Sequence, residues 1–197
     1  MRFVHDRPAS SEVTSRPRVG GTAMKLYTKK GDRGQTSLFS GRRAAKCDPR
    51  VAAVGDLDEL SASLGLARVA FPEANELLCG AQKALYKISA IVSAEGRQID
   101  LSFDDAEIKA LEVEIDRATD ALPPLRDFIY PGEAEASARL HMARAVARRA
   151  ERSIAALEEP PPPENVLAYL NRLSDLLFAL ARLADQQSGH ADRMLGD

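Results

Sequence analysis

Two stretches of the chain carry side chains whose types and spacing suit the handling of a polyanion. The first, TKKGDRGQTSL at 28–38, sets Gly31 and Gly34 among Thr28, Lys29, Lys30, Arg33 and Thr36. Glycines admit close backbone approach, hydroxyls donate hydrogen bonds and the cations supply charge, a combination that serves phosphate well. The segment is not a Walker A loop, because no glycine is followed by Lys and then Ser or Thr, and no Rossmann fingerprint follows a predicted strand. An ordinary polar hairpin turn would carry the same residues. Asp32 could help hold a magnesium ion through water, and is equally at home as a turn residue.

The second stretch is Arg144, Arg148 and Glu151, at i, i+4 and i+7, each one residue beyond a small apolar residue (Ala143, Ala147, Ala150). At about 100° per residue all three project from one flank of a helix. Arg149 and Arg152 fall farther round and are expected in solvent. Asn171 and Asp175 flank a second apolar stripe in the same manner, and Asp58 follows Leu57 on a third. An Arg-rich flank facing an Asp and an Asn is either a recognition site for an anionic ligand or a salt-bridged bundle edge, and spacing alone leaves both open.

Five predicted helices must position these groups. Asp48-Pro49 supplies an N-cap and a proline at the first helical position, and Ala53, Leu57, Leu60, Leu64 and Ala67 extend a helix to about Ala70. Pro72 opens a second, running to about Glu95 and ended by Gly96. Asp104 with Glu107 forms a capping box for a third, to Leu122, stopped by Pro123-Pro124. A fourth runs from about Glu133 to Glu158 with Leu140, Ala143, Ala147, Ala150, Ile154 and Leu157 as its seam. After the prolines at 160–163, a fifth spans about Glu164 to Gln187 around Val166, Leu170, Leu173, Leu177 and Leu180. Residues 25–43 are read as a loop or short hairpin. The implied architecture is all-α, an up-and-down five-helix bundle.

A chain of 197 residues with 45% hydrophobic and 28% charged residues is long enough for one compact domain, and this composition excludes collagen-like, disulfide-dense and wholly disordered chains. The net charge of −2, from 27 Lys and Arg against 29 Asp and Glu, gives no global pull toward nucleic acid or a membrane surface, so any anion site is local. Cys47 and Cys79 stand far apart, and His5, His141 and His190 are scattered, so no zinc site, disulfide framework or other metal-ligand set is assigned. A reducing, cytoplasmic setting is expected. No apolar run suits a membrane span or secretory signal. Residues 1–23 are expected to form a disordered extension, 24–190 the bundle domain, and 191–197 a flexible tail.

Taken together, TKKGDRGQTSL, DPRVAAVGDLDEL at 48–60, FIYPG at 128–132, HMARAVARRAER at 141–152 and YLNRLSDLLFALAR at 169–182 resemble the PduO-type ATP:cob(I)alamin adenosyltransferases over about residues 25–186. The resemblance implies a ferritin-like five-helix bundle with an N-terminal nucleotide loop. It also implies a homotrimer with active sites between subunits, where the adenosyl group of ATP passes to cob(I)alamin with magnesium present. Adenosylcobalamin binding and delivery, with little catalysis, is the alternative; an adenosylcobalamin-dependent enzyme and a reductase are the implied partners, with no nucleic acid or membrane.

By position, the resemblance assigns ATP contacts to Thr28, Lys29, Gly31, Asp32, Gly34, Thr36 and Lys46. It assigns the triphosphate to Arg144 and Arg148, with Glu151 beside them and Asn171 on the fifth helix. It pairs Asp58 across the subunit interface with Arg144, and sets Phe128 beneath the corrin ring, where an apolar wedge would displace the lower axial base and ease reduction to cobalt(I). Without the resemblance, Phe128 reads as a hydrophobic staple ahead of the fourth helix. The sequence departs from the family's usual turn at Tyr130, where an aliphatic residue is common, and at Glu133, where a second glycine is usual.

Overall fold

The computed structural model describes residues 27, 29 and 31–196, so Thr28 and the expected extension at 1–23 lie outside the described residues. The glycine-bearing segment folds as a hairpin: β1 (Gln35–Ser37) pairs antiparallel with β2 (Arg43–Ala45), Thr36 opposite Ala44. Five helices follow, α1 (Pro49–Ala70), α2 (Asn75–Ala94), α3 (Asp105–Asp120), α4 (Glu135–Ala155) and α5 (Glu164–Gln187), giving an all-α bundle. No described helix is long and apolar enough to cross a membrane.

Local chemistry sets most of the helix ends. The Asp48 carboxylate accepts the Arg50 N–H at 2.8 Å, with Pro49 in the first turn. At α3 the capping box is complete: Asp104 accepts the Ala106 N–H at 2.8 Å and Glu107 accepts the Asp104 N–H at 3.1 Å. Two boundaries differ from expectation. Pro72 opens a 3₁₀ turn, Pro72–Ala74, and α2 starts only at Asn75. The fourth helix is shorter than about 133–158, running Glu135–Ala155, and the chain at its start is held from α5, as described below.

The apolar stripes meet in one core. Leu57, Leu60 and Leu64 of α1, Leu78, Leu85 and Ile88 of α2, Leu140 and Ile154 of α4, and Leu170, Leu173 and Leu177 of α5 are all fully buried. At roughly 1.5–3 kcal/mol per buried side chain, this core is the main force for assembly. The alanines at 143, 147 and 150, all buried, let α1 and α5 approach α4 closely on either side.

Hydrogen bonds between helix ends fix the directions. Arg50, at the start of α1, donates to the carbonyls of Val92 near the end of α2 (2.9 Å) and of Glu159 (3.1 Å) and Pro160 (2.8 Å) beyond α4. Hence α1 runs antiparallel to α2 and α4. Lys87 late in α2 meets Glu107 early in α3 at 2.9 Å, and Asn165 early in α5 donates to the Phe103 carbonyl just before α3, at 2.9 Å. The helices therefore alternate in direction along the chain. One end of the bundle holds the hairpin, and the other holds the α3–α4 loop with Phe128.

The hairpin is bolted to its end of the bundle. Phe39 N–H donates to Ser93 Oγ at 2.8 Å, and Glu95 accepts from Ser40 Oγ at 2.5 Å and from Arg42 Nε at 2.8 Å. The hydrogen bonds from Arg42 and Ser40 hold the Glu95 carboxyl below its ordinary pKa. Arg50, only 5% exposed, is the buried tie for three chain segments. Arg50→Met should lower unfolding free energy by about 3 kcal/mol, since it strands the buried Val92 carbonyl and two part-buried ones; urea titration followed by far-UV circular dichroism checks this.

Candidate anion-binding site

Arg144 and Arg148 enter a cleft of 310 Å³ between α3, α4 and α5, lined also by Leu125, Ser174, Asp175, Phe178 and Arg182. Neither arginine has a carboxylate partner among the described residues. Arg144 Nε is buried with no acceptor, and its guanidinium stands 6.0 Å from the centre of the Phe178 ring. Burial, and then the charge of Arg148, lower the Arg144 pKa, which is the mark of a cation without a counterion. Asp175 lines the cleft but leans toward Arg172, at 3.8 Å. The salt-bridged bundle edge considered above is therefore not what these two arginines form.

The other residues of the flank stand in a connected row. Asn171 Nδ2 donates to Glu151 Oε1 at 3.3 Å, and Arg172 donates to Asn171 Oδ1 at 2.9 Å and to Glu112 at 3.0 Å. Asp58 is exposed on α1 and forms no ion pair among the described residues. Its neighbours Asp56 and Glu59 instead hold Arg149, which bridges α1 to α4 rather than standing free in solvent.

Phe128 lies on the loop between α3 and α4 with 78% of its surface exposed. A staple would be packed against its helix, so that reading fails here. Exposed Leu125, Tyr130 and Leu195 share this end, and Leu125 borders both the Phe128 hollow and the arginine cleft. An apolar platform thus adjoins a dicationic pocket.

The backbone beneath the platform is tightly held. Asp185 of α5, itself buried, accepts the Ala134 N–H at 2.8 Å and the Ser137 hydroxyl at 2.6 Å, doing for α4 what a local cap does elsewhere. Gly132 has φ +88°, and a Cβ there would sit 2.9 Å from the Ala138 Cα and Cβ. Residues 191–197, expected to be a flexible tail, instead dock over 192–195. Tyr130 N–H donates to the Arg193 carbonyl at 2.9 Å and Leu195 N–H to the Phe128 carbonyl at 2.8 Å. The guanidinium of Arg193 lies 5.1 Å from the Tyr130 ring centre and 3.9 Å from Glu133.

The glycine loop forms a separate basic basin. Gly34 N–H donates to the Gly31 carbonyl at 3.2 Å, and Lys46 N–H to the Gly34 carbonyl at 2.8 Å. A Cβ on Gly31 would lie 3.7 Å from Lys46 Nζ, so the hairpin brings Gly31, Gly34 and Lys46 together. Asp32 is exposed at the tip, and Thr36 is half-buried in β1. Lys29, Arg33, Gln35, Ser37 and Arg43 line a basin of 600 Å³. Within one chain, however, this basin belongs to the hairpin end and shares no lining residue with the arginine cleft.

Several residues of the site escaped sequence reasoning. Phe178 and Arg182 continue the Asn171 and Asp175 flank at 4-3-4 spacing, a signal that was present but reads as core and surface respectively. His141 is buried, both ring nitrogens lack partners, and its ring lies 5.8 Å from Phe178. Burial, and then Arg144, lower its pKa against the opposing pull of Asp185, so the imidazole is held neutral.

A helical bundle with a cationic cleft beside an apolar platform defines the class, and the cobalamin adenosyltransferase family model matches residues 26–184; the chain belongs to that family. It is 46% identical over 171 residues to the corrinoid adenosyltransferase PduO of Citrobacter freundii, covering 84% of this chain and 51% of that protein. It is 39% identical over 176 residues to the corrinoid adenosyltransferase of Bacillus subtilis, covering 86% of this chain and 91% of that protein. The chain spans about half the length of the PduO relatives it matches. A variant PduO-type ATP:corrinoid adenosyltransferase from Lactobacillus reuteri, solved with cobalamin and ATP, superposes with a TM-score of 0.81 at 33% identity, covering 86% of this chain and 96% of that one.

Gly132 separates strain with a clash from strain alone. Gly132→Ala should cost roughly 2–3 kcal/mol, and Gly34→Ala, whose φ of +74° meets open space, about 1 kcal/mol. Paired denaturant titrations check the difference.

Proposed function

We propose that this chain transfers the 5′-deoxyadenosyl group of ATP to the cobalt of cob(I)alamin. The cobalt(I) electron pair attacks C5′, a cobalt–carbon bond forms as the C5′–oxygen bond breaks, and triphosphate leaves. The observation that carries this reading is the uncompensated Arg144 and Arg148 pair, joined through Leu125 to the exposed Phe128 platform. A departing polyanion needs fixed positive charge, and a flat apolar macrocycle needs an apolar face.

The role of Phe128 follows from its exposure. A rigidly held aromatic ring standing free of its own chain can occupy the lower axial side of a corrinoid, excluding the base that would otherwise ligate cobalt. Lower coordination stabilises the reduced metal. Near Arg144, the neutral His141 adds no charge to compete with the triphosphate.

The glycine loop and Phe128 lie at opposite ends of one chain, and the 21 residues of α4 between them span about 30 Å. One ligand therefore meets both only if the loop comes from a neighbouring copy. We accordingly favour a homotrimer with sites between subunits, in which Lys29, Gly31, Asp32, Gly34, Thr36 and Lys46 of one copy face Arg144, Arg148, Glu151 and Asn171 of the next. Asp58, which has no ion pair among the described residues, then supplies a carboxylate to Arg144 of the neighbouring copy.

Magnesium would enter with the nucleotide. No cluster of three or more His, Cys, Asp or Glu suited to a metal occurs among the described residues. Mg²⁺ binds chiefly through phosphate oxygens, water and one or two carboxylates, and Glu151 beside Asn171 is the donor pair that fits. Bound there, it would neutralise charge on the leaving triphosphate. The free thiols of Cys47 and Cys79 suit a cytoplasmic setting, where a cellular reductase would supply cobalt(I) and an adenosylcobalamin-dependent enzyme would take the product.

The test is incubation with ATP and chemically reduced cobalamin. Equimolar adenosylcobalamin and triphosphate are expected, whereas tight corrinoid binding with neither product would leave a delivery protein. Arg144→Ala and Arg148→Ala should each lower kcat/KM roughly 10- to 100-fold while the circular dichroism spectrum persists, from charge-assisted bonds of about 1.5–3 kcal/mol each. Wild-type rates in both variants would remove the triphosphate clamp from the account.

A further inference from the structure

We propose that the Arg182–Asp192 ion pair is a positioning device for Phe128, acting through residues 192–195. The inference rests on the reading of Phe128 as the group beneath the corrin ring. Arg182 is 5% exposed, and its guanidinium grips Asp192 through Nε at 3.1 and 3.2 Å and through Nη2 at 2.6 Å. The same Nη2 donates to the Pro123 carbonyl at 2.7 Å. One buried cation thus fastens the end of α5, the start of the α3–α4 loop and the segment that follows α5.

The three residues after Asp192 lie against the Phe128 backbone as a short antiparallel pairing. Met194 bridges Ile129, with the hydrogen bonds to Tyr130 and Phe128 on either side. Every element that holds Phe128 acts on its main chain, and none covers its ring. That is how a group is preorganised for a ligand rather than packed for stability. A buried ion pair is in any case a weak source of folding stability compared with an apolar pair of the same size. It does, however, impose one geometry, and here that geometry is transmitted over one residue to the loop.

Two variants test the device. Asp192→Ala removes the clamp. Leu195→Pro removes the N–H that reaches the Phe128 carbonyl without leaving a buried charge unpaired. In both, exchange of the Tyr130 amide should speed up at least about tenfold while core amides of α4 and α5 keep their protection. Adenosylation starting from cob(II)alamin with a reductant should fall about tenfold or more relative to adenosylation from prereduced cob(I)alamin, and the electron paramagnetic resonance signal of four-coordinate cob(II)alamin should shrink in step.

Unchanged Tyr130 exchange, or equal loss in both routes together with loss of core protection, would overturn the proposal. Phe128→Ala in the same assays tests the underlying reading separately. If it splits the two routes and neither clamp variant does, the clamp is refuted and the wedge stands. If Phe128→Ala slows both routes equally, the wedge falls and this proposal falls with it, whatever the exchange data show.

Discussion

Arg144 and Arg148 stand one helical turn apart on α4, the first half-buried and the second exposed, with no carboxylate among the described residues to neutralise them. Two like charges in that setting raise the free energy of the empty protein, and burial and mutual repulsion both act on Arg144. The fold tolerates this because the cost is small beside the apolar core that α1, α4 and α5 form beneath it. The arrangement is a ready field for a polyanion, which on the proposed reading is the leaving triphosphate. The remainder of the molecule can be understood as what holds that field beside an apolar face.

Several acids of the bundle are engaged by other groups. Asp56 and Glu59 are engaged by Arg149, Glu112 by Arg172, Asp185 by the first turn of α4, and Asp192 by Arg182. Asp58, exposed on α1, has no ion-pair partner among the described residues. The alternation of helix direction then has a functional consequence: it sends the glycine hairpin to one end of the bundle and Phe128 to the other. On the proposed reading, a second copy brings loop, arginines and platform to one ligand.

Much of this was legible because it is local. The Asp48 cap, the Asp104 and Glu107 box, the proline stops and the seams of the fourth and fifth helices depend on residues within one turn of each other, and the structure has them where the spacing implies. The same holds for the glycine turn and for the shared flank of Arg144, Arg148 and Glu151. What could not be read depends on partners distant in sequence. The start of α4 is set by Asp185, about fifty residues on, which no pattern near Glu133 discloses. Residues 192–195 read as part of a flexible tail because no local pattern discloses that Arg182, on α5, pairs with Asp192. Phe128 looked like a staple candidate because exposure cannot be read from an aromatic next to a helix start.

The central claim is that loop and arginines act on one ligand from different copies, and complementation between two disabled chains tests it most directly. One chain carries Lys29→Ala with Lys46→Ala, the other Arg144→Ala with Arg148→Ala, and each alone is inactive. Mixed oligomers, verified by native mass spectrometry, should regain adenosyl transfer, because some sites then pair an intact loop with intact arginines. Mixed oligomers as inactive as either parent would mean that each chain builds its site alone, and the shared-site account would be wrong.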